Sequence, residues 1–370
     1  MCKISDVNHG GAMSSAQSRS DEHSANGRWV RASTPEDGAA IVALMRDAGL
    51  QPDAGIEHLH WKYWRAREDW SGARSFVLTD GRELLAHGAL MPGTLRWGST
   101  RAGVIHMIDW AARREAVGAG VVLMKHIGGM TDFLLGVGGS EQTRKIMPLL
   151  DHRPCGTVKG YVRPLSPLGV LRHSSGARWR MTPRVARSLL WSAMAPRPYA
   201  GPWGGARRVG LEDVEHIWTV LPARRSASAA LERSPALLRH ALACPIVPVE
   251  WFLMEKGGRI GGYFVLSYAP GQARLADLWM DSEDPADWRA LVHSAVMQAR
   301  AKGGVVEAAA WSSDPLLSKA LEDCGFHERF TLPIYLRSSG SAAMPPQAVR
   351  VQMLDNDAFY LHFGRCELWA

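Results

Sequence analysis

Apolar and polar positions alternate along this chain in two registers, one of period two and one of period near 3.6, and they change places at recognisable punctuation. Trp29-Val30-Arg31 opens a short strand, and Thr34-Pro35-Glu36-Asp37 then reads as a helix start: Thr as cap, Pro in the first turn, acids at the positive end of the helix dipole. Ile41, Leu44 and Met45 recur at helical spacing to about residue 47, and Gly49 ends the run. A second helix is expected over 56–67, with His58, Trp61 and Trp64 spaced by three. Strand-like runs follow at 73–79, 83–90 and 101–110, the first two joined by Asp80-Gly81. Residues 113–120 form a glycine-containing turn into a helix over 121–127. A strand at 130–137, a helix at 140–150 and a strand at 157–162 complete the unit.

After Arg208 the same order returns. A helix is expected from Leu211 and another near 235–243, then strands at 248–255, 261–267 and 273–280. A helix at 286–302, a strand at 305–311, a helix at 315–324 and a strand at 330–336 close the second unit. The architecture therefore repeats with a period of about 180 residues, although the two copies share little sequence. Between them, 164–206 reads as a connector with one helix at 183–194.

Length agrees with this picture, since 370 residues exceed what one hydrophobic core usually organises. Fifteen tryptophans read first as core and interface packing. The first 27 residues are polar and lack a signal-peptide core, so a disordered tail is expected, and no apolar run approaches the ~20 residues that span a bilayer. Five cysteines stand without a CxxC pair, which implies neither a disulfide framework nor a zinc site and fits a reducing cytoplasm. The net charge of +7 is local: residues 152–211 hold eleven Lys and Arg and no Asp or Glu. That stretch suggests an anionic partner or arginines that bridge carboxylates.

The order of elements, the Gly118-Ala119-Gly120 turn and the ending Leu321-Glu322-Asp323-Cys324-Gly325-Phe326 together resemble the GNAT acyltransferase superfamily. The resemblance implies an α/β (α+β) protein with two GNAT-like domains, at 28–163 and 207–336, each a mixed, mostly antiparallel sheet flanked by helices. It implies acetyl-CoA or another acyl-CoA as co-substrate and no metal. The coenzyme pyrophosphate is expected on Ala111, Ala112, Arg113, Arg114, Val117, Gly118, Ala119 and Gly120, because glycines let backbone N–H groups approach an anion at a helix start. Glu115 departs from the superfamily pattern, which has Gln or Arg there. Ser140 stands where an Asn often meets the pantetheine arm. Asp281-Ser282-Glu283-Asp284 replaces the glycine turn in the second unit, so one coenzyme site is expected.

Acyl transfer to an amine needs a base and an oxyanion site. Asp109 and His106, on the strand before the glycine turn, are the candidates, Asp109 first. Alternation places them on opposite faces unless a bulge intervenes. The tyrosine that usually protonates the thiolate is absent, its position falling near Pro148 and on Glu322. Trp61 and Trp64 are expected near the acceptor, an amine or hydroxyl held between the domains, and the His-Trp-Lys-Tyr-Trp segment is similar to proteins of cell-envelope and polysaccharide biosynthesis, with amino-sugar or lipid-linked acceptors. Two rivals remain: a Fem-type ligase using aminoacyl-tRNA along the basic stretch, and a non-catalytic scaffold with a GNAT fold. Residues 337–370 are expected to return to the sheet or cap the joint, with strand-like runs at 348–353 and 359–363.

Overall fold

The computed structural model describes residues 27–50, 56–167, 169, 178–197, 201–203, 205–221, 228–340, 342–362 and 368–369; the expected N-terminal tail lies outside them except for Gly27. The N-terminal half runs β1 (Trp29–Ala32), α1 (Gly38–Asp47), α2 (Ile56–Leu59), β2 (Ser75–Thr79), β3 (Leu84–Trp97), β4 (Thr100–Ala112), α3 (Ala119–Gly128), β5 (Phe133–Val137), α4 (Glu141–Ile146) and β6 (Arg153–Pro164). α2 passes into a π-turn at His60–Trp64 rather than continuing to 67. Helix α5 (Arg178–Met194) links the halves. The C-terminal half runs β7 (Ala206–Val209), α6 (Val214–Val220), β8 (Ala229–Leu231), α7 (Pro235–Leu242), β9 (Val249–Lys256), β10 (Arg259–Ala269), β11 (Gln272–Met280), α8 (Pro285–Ala301), β12 (Glu307–Ser312), α9 (Pro315–Asp323), β13 (His327–Ser338) and β14 (Val349–Arg350).

Among the described residues these strands form one continuous sheet in the order β1-β2-β3-β4-β5-β13-β6-β12-β11-β10-β9-β7, with β8 on β3 and β14 on β8. The halves exchange their last strands. β13 lies antiparallel to β5 on one side and to β6 on the other, while β6 pairs with β12. Neither half therefore completes its sheet without the other, and the exchange ties the halves together by backbone hydrogen bonds.

The strand hairpin β3–β4 is longer than the sequence pattern suggests. Pro92 and Gly93 interrupt the apolar alternation, yet β3 continues through them to Trp97, with Pro92 opposite Ile105. The outer edge of β3 is paired to β2 up to Ala89 and to β8 only from Leu95, so a residue without an N–H fits the gap.

Two cores flank the C-terminal sheet: Phe252, Phe264, Leu275 and Leu291 pack under α8, and Trp251, Tyr263 and Leu238 lie on the other face. The second core also takes in Trp61 from the N-terminal half and Met353, Leu354, Phe359 and Tyr360 from the chain's end. Residues 353–355 and 357–359, expected as strand or link, form two single 3-10 turns. With β14 they make a strap over the joint. The run expected to 363 leaves the described residues after His362.

Candidate active site

The centre of the site is a break in β4. Its parallel pairing with β5 covers Val104, Ile105 and His106 only; past these the two strands part, β4 keeps β3 on one side, and among the described residues no strand lies on its other edge. Just past the parting, β4 carries one residue more than β3 between Ile108 and Ala111, and Asp109 takes a left-handed φ of +49°. This bulge resets the alternation. Ile105, Met107, Trp110 and Ala112 join the core beneath α3, whereas Ile108 and Ala111 face α1. The residue count alone would separate His106 from Asp109; with the bulge the face that carries His106 also carries Asp109.

A left-handed Asp is strained by about 1–2 kcal/mol and persists only where its surroundings hold it. Buried His87 donates its Nδ1–H to the Asp109 carbonyl at 3.1 Å, and its Nε2 accepts from the Ser75 hydroxyl at 2.9 Å. Ser75 accepts in turn from Ser33 at 2.6 Å, and Ser33 from the Trp64 indole at 3.0 Å. Every donor in this chain has an acceptor, and it ends on the bulge. Burial pushes the His87 pKa down to about 4, so the neutral tautomer that the chain requires is the resting one. Trp64, expected near the acceptor, thus begins the bulge's support. No motif marks His87, because its role depends on a cross-strand neighbour.

The Asp109 carboxylate is ion-paired with Lys62 and accepts from the Tyr63 hydroxyl at 2.7 Å. Burial would raise its pKa, but Lys62 and Tyr63 outweigh burial and hold it below the usual carboxylate range. The π-turn aims Lys62 and Tyr63 together, since an extra residue per turn rotates neighbours onto one side. His106 donates Nδ1–H to the Asp355 carbonyl of the strap at 3.0 Å, which leaves Nε2 as its lone-pair nitrogen. Burial lowers its pKa and the nearby acids of the strap oppose that. Asp357, two residues on, is pushed up by burial against the charges of Lys62 and His106.

At the open end of β4, Gly118 caps α3 with φ +81°, a conformation costly for other residues, and a Cβ there would meet no atom within 4 Å. In the first turn of α3, Ala119 N–H donates to the Ala116 carbonyl at 3.0 Å and Val122 N–H to the Gly118 carbonyl at 3.0 Å, so the N–H groups of Gly120 and Val121 are those that lack intrahelical acceptors. Gly120 has a different reason to be glycine: its Cβ would come within 3.1 Å of the Trp110 indole, whose Nε1–H donates to the Gly120 carbonyl at 3.1 Å. Ala111, Ala112 and Ala119 lie in or beside the packed interface of β4 with its helices. Val117 is 87% exposed and Arg114 is exposed. Arg113, expected on phosphate, instead bonds the Leu84 carbonyl at 3.0 Å and lies 3.3 Å from Glu83 and 3.8 Å from Asp47. Ser140 caps α4, accepting from Thr143 N–H at 3.1 Å. Trp61 is buried, stacked on His240 at 4.6 Å and bonded to its carbonyl at 3.0 Å, so it joins the halves rather than facing an acceptor.

The C-terminal half repeats the parting. β11 pairs with β12 from Gln272 to Leu275, then carries one extra residue against β10, and Asp277 follows. Asp277 receives Arg233 at 2.7 and 3.0 Å and the Tyr263 hydroxyl at 2.9 Å, and Arg233 also binds Asp355 of the strap. Here the opening is occupied by the chain itself: the Gln352 amide accepts from Leu278 N–H at 2.9 Å and donates to the Leu278 carbonyl at 3.0 Å, as a pairing strand would. Beside it remains a cavity of about 530 Å³, walled by Trp279 and Trp288, with Asp281, Glu283, Asp314 and Asp355 against Arg233 and Arg350. Burial pushes the thiols of Cys155 and Cys244 up to about 11 and of Cys324 to about 12, which keeps them protonated and poor nucleophiles.

No protein-family model matches the chain, and no curated protein matches it by sequence. Solved structures do match by shape. Saccharomyces cerevisiae N-myristoyltransferase with bound myristoyl-CoA superposes with a TM-score of 0.58 at 13% identity, over 84% of this chain and 79% of that one. A probable N-acyltransferase of Enterococcus faecalis V583 gives 0.54 at 14% identity, over 84% and 72%. A GCN5-related N-acetyltransferase of Anabaena variabilis ATCC 29413 gives 0.53 at 13%, over 85% and 73%. The fold is therefore that of GNAT-like proteins, as the order of elements implied.

Proposed function

We propose that the chain is an acyl-CoA-dependent N-acyltransferase with a single thioester site, at the parting of β4 and β5. The observation that carries this reading is the unpaired edge of β4 past His106, followed at once by the Gly118 turn and the first turn of α3. A pantetheine amide arm pairs with such an edge as a strand does, and a pyrophosphate suits helix N–H groups. Acetyl-CoA and longer acyl thioesters are the candidates, in keeping with what the neighbouring structures are named for.

The acceptor is a primary amine entering from the cavity of the C-terminal half, where Asp281, Asp314 and Asp355 are paired with Arg259, Arg350 and Arg233 and Glu283 adds a further carboxylate, an excess that favours a cation. The cavity's Asp355 gives its carbonyl to His106, so acceptor and thioester meet across the strap. His106 suits the base better than Asp109. Its Nε2 keeps a lone pair, while the Asp109 carboxylate is already bound by Lys62 and Tyr63. His106 takes the amine proton, the Asp355 carbonyl that receives its Nδ1–H steadies the imidazolium, backbone N–H groups near Trp110–Ala112 receive the oxyanion, and the thiolate leaves toward the positive end of α3.

Calorimetry with acetyl-CoA and long-chain acyl-CoA tests binding, and thiol release with simple amines tests turnover. His106→Gln is expected to lower kcat by about 10²–10⁴-fold with thioester affinity kept. No heat with any thioester would sink the reading.

A further inference from the structure

Helix α5 packs Val185 against Val306 and Leu368, yet leaves apolar side chains on both of its faces. Its inner face puts Ser188 in a fully buried position and stacks Trp191 on His327 at 4.0 Å, with the Ser188 and Ser192 hydroxyls lacking partners among the described residues. Its outer face carries Ala186, Leu189, Leu190, Ala193 and Met194, and the three large side chains are 50%, 58% and 69% exposed. Positions 186, 189, 190, 193 and 194 recur at spacings of three and one, so they form one stripe along the helix rather than scattered surface leucines. A contiguous exposed apolar stripe of this kind marks a surface that something covers.

Charge says what covers it. Within its 17 residues α5 holds Arg178, Arg180, Arg184 and Arg187 and no acid, and the stretch 152–211 around it has none either. The Arg187 and Arg329 guanidinium groups lie over the Trp191 ring, and Arg197 is exposed just beyond the helix end. The remainder of the chain is net negative. No described helix is long and apolar enough to cross a membrane. We infer that α5 is a peripheral membrane anchor: it lies flat on an anionic lipid surface, its leucine stripe among the acyl chains, drawn there by the acid-free positive charge of the segment that contains it. At 1.5 Å per residue it presents about 25 Å of such contact. A protein partner would need a surface shaped to one bare helix; a bilayer needs only negative charge and depth.

The full chain is expected to co-float with vesicles of equimolar phosphatidylglycerol and phosphatidylcholine at low salt, less so at high salt, and not with phosphatidylcholine alone. The variant Leu189→Gln/Leu190→Gln/Met194→Gln is expected to lose at least ~tenfold in vesicle affinity with its melting temperature kept, because the changed side chains are exposed. The role is overturned if the wild type ignores anionic vesicles. It is also overturned if the wild type is a dimer that the triple variant converts to a monomer while vesicle binding is unchanged, since a second copy would then cover the stripe. Thioester binding is read separately and does not enter either outcome.

Discussion

The two partings of the sheet are built alike and end differently. In each, a short parallel pairing gives way to a one-residue excess on the outer strand, and a buried aspartate there meets a cation and a tyrosine hydroxyl: Asp109 with Lys62 and Tyr63, Asp277 with Arg233 and Tyr263. Each cation also faces a carboxylate of the strap, Asp357 or Asp355. Arg233 bonds both of its acids and the opening beside it is filled by Gln352. Lys62 is ion-paired with Asp109 while Asp357 is displaced toward its neutral form, and among the described residues the edge of β4 past His106 carries no strand. The same scaffold is closed by the chain itself in one half and left open in the other.

The largest effect should come from removing the fully committed cation. Arg233→Met leaves Asp277 and Asp355 buried and unpaired and is expected to cost about 3–5 kcal/mol in denaturant unfolding. Lys62→Met should cost less: Tyr63 still donates to Asp109 as Tyr263 does to Asp277, but the second acid here, Asp357, takes up a proton easily and so leaves one buried charge rather than two. Equal losses would dissolve the distinction between the halves.

Acid should weaken the N-terminal opening next. The His87 pKa is depressed from 6.5 to about 4, so the folded state disfavours its protonation. Its contribution is complete above pH 6.5 and is lost as pH falls from there toward about 4, amounting to about 3 kcal/mol. His240 is pushed down to about 2 by burial and, after it, by the charge of Arg74, and adds to the slope over the same range and below it. Unfolding titrations between pH 7 and 4 check this, and His87→Asn should flatten the curve. A stability independent of pH would mean that His87 does not hold the bulge.

Much of this was legible from the sequence, and the misses share a cause. The order of elements, the glycine turn and the acidic replacement for it in the second half are local patterns, and they appear where their spacing implied. The exchange of β6 and β13, the extension of β3 through Pro92, and the strap are long-range choices with no local signature. Trp61 and Trp64 are marked by the place of their helix in the resemblance and by their aromatic faces, neither of which distinguishes a cleft from a joint. Arg113 and Ser140 were placed by analogy; one is held by Glu83 and the Leu84 carbonyl, the other caps a helix. His106 and Asp109 were found together, but their common face depends on a bulge that only the pairing with β3 reveals.

Smaller effects separate filling from function. Gln352→Ala removes two hydrogen bonds to Leu278 from the closed opening and is expected to cost about 1–3 kcal/mol, with thioester affinity unchanged. A fall in affinity would place the thioester in the wrong half. At the open site the glycines give the finest test, because their reasons differ. Gly120→Ala drives a methyl into the Trp110 indole, so it should lower stability and drag affinity with it. Gly118→Ala meets only open space and loses about 1 kcal/mol to left-handed strain. If α3 receives the coenzyme's phosphates, that strain tilts the N–H groups of its first turn, and affinity for acetyl-CoA should fall by more than stability does. A melting temperature lowered slightly with affinity intact would leave the turn a structural cap and move the anion elsewhere.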